Sequence, residues 1–123
     1  MSHPLFGPEV RLMLQEGDAA EMCTFCETLH PATVAEALAD EAINDEDIWR
    51  VLQSTSIRNQ AAIFEYFPIE LQVRLAEGSG RPHMARLIEQ MSHDDRVLLL
   101  RKLPPRVSES ILRFLMNLAS RSI

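Results

Sequence analysis

The 123-residue sequence predicts an all-α protein, a stacked superhelix of about nine short helices, and three observations carry that reading. No segment alternates apolar and polar residues over strand length, and β-branched residues do not cluster. Helix starts fall near residues 31, 45, 57, 69, 82, 93 and 105, about a dozen apart, so a two-helix unit takes about 24 to 26 residues. Helices this short favour a stack over an up-and-down bundle, which wants helices of roughly twenty residues.

Taken in order, Gly7-Pro8 opens a first helix in which Val10, Met13 and Leu14 share a face, and Gly17 stops it. Asp18 caps a second helix through Ala19 to Thr28, with Glu21 at capping-box spacing. Met22, Phe25, Cys26 and Leu29 form its buried face. The third begins at Leu29-His30-Pro31, where Pro31 suits the first helical position and Leu29 staples the entry. Val34 and Leu38 lie one turn apart, and Ala35 and Ala37 allow close approach of a neighbour. Asn44-Asp45-Glu46-Asp47 supplies a cap and three carboxylates to the fourth helix, whose core face is Ile48, Val51 and Leu52, with Trp49 packing beside it.

Residues 57 to 67 turn Ile63, Phe64 and Phe67 inward, and Pro68 begins the next turn. Gly78-Ser79-Gly80 reads as the loosest joint of the chain. Pro82 then opens a helix carrying Met84, Leu87, Ile88 and Met91 at helical spacing. Ser92-His93-Asp94-Asp95 has Ser92 as N-cap, Asp95 at the reciprocal position and both acids in the first turn. Leu103-Pro104-Pro105 closes that helix and launches the last, which runs to about Ala119 on Val107, Ile111, Phe114, Leu115 and Leu118.

At 46% apolar content the chain is expected to form one domain over residues 1–123. No run nears the eighteen or so apolar residues of a membrane helix, and Met1-Ser2-His3-Pro4 lacks the basic start and apolar core of a secretory signal, so a cytosolic setting is expected. The net charge of −6 is uneven: residues 1–55 hold eleven acids against Arg11 and Arg50, whereas residues 56–123 hold seven acids against ten basic residues. Scattered arginines, acidity overall and sparse aromatics argue against nucleic acid. Cys23 and Cys26 form a Cys-x-x-Cys without a second pair to complete a zinc site, so Cys26 reads as a small buried apolar residue.

No nucleophile with its base, metal-ligating motif or phosphate-cradling loop is present, and His93 and Asp94, adjacent on a helix, point apart; the sequence reads as a non-enzyme. Divalent-cation binding is the stronger site hypothesis, because Mg²⁺ keeps several waters and needs only one or two carboxylates, which a helix start supplies.

Leu-His-Pro-Ala-x-x-Ala-Glu-x-Leu from Leu29, Gln60-Ala61-Ala62-Ile63-Phe64, and Met91-Ser92-His93-Asp94-Asp95-Arg96 running into Leu103-Pro104-Pro105 together resemble the cytosolic N-terminal domain of MgtE-type magnesium transporters. That resemblance implies a right-handed superhelix, followed in the family by CBS domains and a transmembrane domain. It implies a Mg²⁺-sensing, gating domain at the inner face of the membrane, which closes the pore through cation-bridged contacts with the CBS domains of a homodimeric transporter. Asp94 falls on a family cation position, with Asp95 beside it, whereas the family acid one turn later corresponds to Leu98 and another to Ala62. The expected Mg²⁺ affinity is therefore weak, with the ion shared with a partner domain. The alternative is a stand-alone helical interaction scaffold, similar to the stacked helical domains of the flagellar motor protein FliG.

Overall fold

The computed structural model describes residues 7–121, and the side chains of residues 9–118. All nine elements among the described residues are α-helices: α1 Gly7–Glu16, α2 Ala19–Thr28, α3 Pro31–Leu38, α4 Asp45–Leu52, α5 Ile57–Phe64, α6 Ile69–Gly78, α7 Arg81–Glu89, α8 His93–Lys102 and α9 Pro105–Arg121. The chain divides into two compact units, Met1–Phe67 and Pro68–Ile123.

Within the first unit α1 packs on α3, α2 on α4 and α3 on α5, so each helix rests on the one two places along the chain. That skip arises because a helix of eight to ten residues is too short to bury its stripe against one antiparallel neighbour. Val34, Ala35, Ala37 and Leu38 of α3 are all buried. Ile48, Val51 and Leu52 bury the inner face of α4, and Trp49 stacks on Phe64 with ring centroids 6.0 Å apart. Gly17 takes φ +68° after α1, and its N–H donates to the Met13 carbonyl at 2.9 Å, the left-handed stop that glycine adopts most cheaply.

In the second unit α6 packs on α8 and α7 on α9. Met84, Leu87, Ile88 and Met91 are buried as their spacing requires. Arginines finish the helices here: Arg81 Nη1 donates to the carbonyls of Ala76, Glu77 and Ser79 at the end of α6. Arg96 Nη2 does the same to Glu89 and Met91 at the end of α7. Each guanidinium satisfies carbonyls that a helix end leaves without an intrahelical partner, at its negative pole.

The structure departs from the sequence reading at the Gly78 joint and along the last helix. Gly78 is the last residue of α6 and Gly80 the N-cap of α7, so the expected three-residue joint is two residues, Ser79 and Gly80, between the helices. The last helix continues to Arg121. Along it Val107 and Ile111 are buried, but Phe114, expected inward, is 37% exposed, because among the described side chains of this helix full cover reaches only to Ile111.

Candidate functional site

The two carboxylates singled out by the sequence lie in the first turn of α8, which opens after Ser92 in an extended conformation. Asp94 is exposed and Asp95 half-buried. Ser92 Oγ donates to Asp95 Oδ2 at 2.9 Å, so the expected capping relation is turned around: the serine hydroxyl ties down the carboxylate and caps no backbone N–H with its side chain. One oxygen of Asp95 is thereby engaged, and Asp94 stands at the surface over the positive end of the helix.

One turn further, Leu98 is 46% exposed and Val97 37%. Leu98 shares a face with Asp94 by its i+4 spacing, so the surface beside the carboxylate is a leucine. Ala62 is half-buried on α5, in the other unit. Among the described residues no group of three or more His, Cys, Asp or Glu side chains is arranged to hold a metal ion. Two carboxylates on one helix turn are hard oxygen donors, and they do not amount to a cage.

The acidic start of α4 is organised locally. Asn44 Oδ1 accepts from the Asp47 N–H at 2.8 Å, and Arg50 Nη1 lies 3.9 Å from Asp47 Oδ1 on an exposed surface. The cap and the helix pole account for the acids in this turn.

The cysteines are thiols in an apolar and hydrogen-bonded setting. Cys26 is buried, donates to the Val51 carbonyl at 3.7 Å, and burial pushes its pKa up to about 11. Cys23 donates to Glu27 Oε2 at 3.2 Å, and that hydrogen bond raises its pKa as well. Both thiols are held protonated, the reverse of what a nucleophile or zinc ligand needs. Glu27 Oε2 also accepts from Thr55 Oγ1 at 3.1 Å, while Asn59 Nδ2 donates to Thr55 Oγ1 and to the Cys26 carbonyl, tying α2 to α5.

The sequence alone sets no role for His30. It is the N-cap of α3: its Nδ1 accepts from the Ala32 N–H at 3.0 Å, and its ring meets Tyr66 edge-on with centroids 5.7 Å apart. Histidine is an uncommon cap, so the usual preference for Ser, Thr, Asp or Asn gave no signal.

Compared with known proteins, residues 29–122 match the family model described as the MgtE intracellular N domain. The matched span begins at Leu29 and takes in α3 through α9. No curated protein matches the chain.

Proposed function

Because this chain belongs to the MgtE intracellular N domain family, we propose that it is the Mg²⁺-sensing regulatory domain of an MgtE-type transporter, working on the cytoplasmic side of the membrane. The observation that carries the proposal is the coincidence of that family match with an exposed Asp94 at the N-terminus of α8. No helix among the described residues is long and apolar enough to cross a membrane, which suits a domain that regulates a pore formed elsewhere.

In this reading Asp94 and Asp95 each offer a carboxylate to a hydrated Mg²⁺ whose remaining protein ligands come from CBS domains. Two acidic surfaces repel one another at low Mg²⁺ and are drawn together when the ion neutralises them, so cation concentration sets the population of the closed state. With leucine at position 98 and alanine at position 62, this domain contributes fewer carboxylates, and binding to it alone is weak.

The test is a Mg²⁺ titration of the domain followed by amide chemical shifts, alone and with the CBS domains added. Shifts near Asp94 that fail to saturate alone and tighten markedly with the CBS domains are expected. Equal affinity in the two samples would refute the interdomain sensor.

A further inference from the structure

The second unit carries an apolar hollow among its described residues, and the first carries a side chain of matching size and opposite electrostatic surroundings. Between α7 and α9 lies a hollow of about 130 Å³ lined by Pro82, Arg86, Phe114, Asn117 and Leu118. An apolar cavity of roughly 150 Å³ takes a benzene ring, so this one takes one branched aliphatic side chain. Phe114, 37% exposed, leaves part of its ring open to solvent. Arg86 lines one side and is exposed. Arg113, also exposed, stands one turn before Asn117 on the α9 lip. The hollow thus has an apolar floor and a cationic rim.

On α1, Val10 and Met13 are buried, and Leu12 is turned away from them with 53% of its surface exposed. Glu9 and Glu16 lie three residues before and four after Leu12, on its face of the helix, and both are exposed. α1 therefore presents a leucine between two carboxylates, the complement of an apolar socket with the Arg86 guanidinium in its wall and Arg113 one turn along α9.

We propose that the α7–α9 hollow receives Leu12 of a second copy of this chain, with Glu9 and Glu16 of α1 set against Arg86 and Arg113. The contact joins two different surfaces, so it is heterologous: in a pair one copy retains an unused hollow and the other an unused α1 face, and association runs on to chains or closes into a ring. A contact anchored by one leucine lies well below the ~1,000 Å² of a stable interface, so it is weak and populated only at high local concentration. Its ionic part is solvent-exposed and fades as salt rises.

Sedimentation equilibrium of the chain from about 20 μM to about 1 mM, which brackets weak association, tests this. A mass that climbs with concentration and falls back with added salt is expected. Leu12→Glu and Arg86→Glu, both at exposed positions, should each keep the helical spectrum and melting temperature and hold the protein monomeric throughout. Glu9→Arg/Glu16→Arg and Arg86→Glu/Arg113→Glu proteins should each be monomeric alone and associate when mixed, because each then offers the other a matched face. A monomer at every concentration, association that survives both single substitutions, or mixed double variants that stay apart would each overturn the proposal. So would a foreign acidic helical peptide that shifts the amides of Arg86 and Phe114 while the chain itself stays monomeric.

Discussion

At the scale of single residues, His30 and Cys26 each do something their identity alone does not announce. His30 caps α3 through Nδ1, so its proton sits on Nε2. His30→Ala should lower stability by about 1 kcal/mol in urea unfolding, whereas His30→Asn, which keeps an acceptor, should cost only a few tenths. Cys26 has its pKa raised from 9.0 to about 11 by burial. Between those values the folded protein retains a proton that the unfolded chain releases, so stability falls as pH rises through that window. Unfolding midpoints measured from pH 8 to pH 11 should show a decline that flattens in Cys26→Ala. An unchanged slope in that variant would assign the decline to other groups. The burial of Cys26 was legible from its helical face, but the His30 cap was not, because it depends on a ring rotation that spacing does not encode.

At the scale of elements, periodicity located every helix, since all seven starts read from residue 31 onward coincide with observed starts to within one position. The core faces read for α3, α4, α5 and α7 followed, and the one read for α9 failed past its middle. Ile111 is fully buried and Phe114 is 37% exposed, although both occupy apolar positions on α9. Ile111→Ala should therefore cost about 2–4 kcal/mol in chemical denaturation, and Phe114→Ala less than half of that, despite removing the larger side chain. Leu38→Asp and Ile88→Asp, each placing an unpaired charge at a fully buried site, should abolish the folded helical spectrum.

For the whole molecule, the family match and the exposed carboxylate at α8 together make Mg²⁺ the variable to change. Asp94→Ala should remove the Mg²⁺-dependent amide shifts at the start of α8 and spare any at Asp45 to Asp47, which lie in the other unit. Leu98→Asp is the more searching test. Leu98 is 46% exposed, so a carboxylate there needs no burial, and it stands one turn from Asp94. The substitution should tighten Mg²⁺ binding several-fold in the titration with CBS domains, because a second acid on that face restores a ligand without rebuilding the helix. Unchanged affinity would place the shared ion away from this face.

The helices of this protein were determined locally: proline at first turns, acids and Asn44 at starts, Gly17 in a left-handed stop, and apolar residues at 3.6-residue spacing are choices each segment makes with its own atoms. Those same cues, in their order, carried the resemblance that the family match bears out. Tertiary structure decided what a segment cannot know about its neighbours. It directed Arg81 and Arg96 to the carbonyls of preceding helix ends, and left Phe114 and Leu98 at the surface. Periodicity says which residues share a face, and only packing says whether anything lies against it.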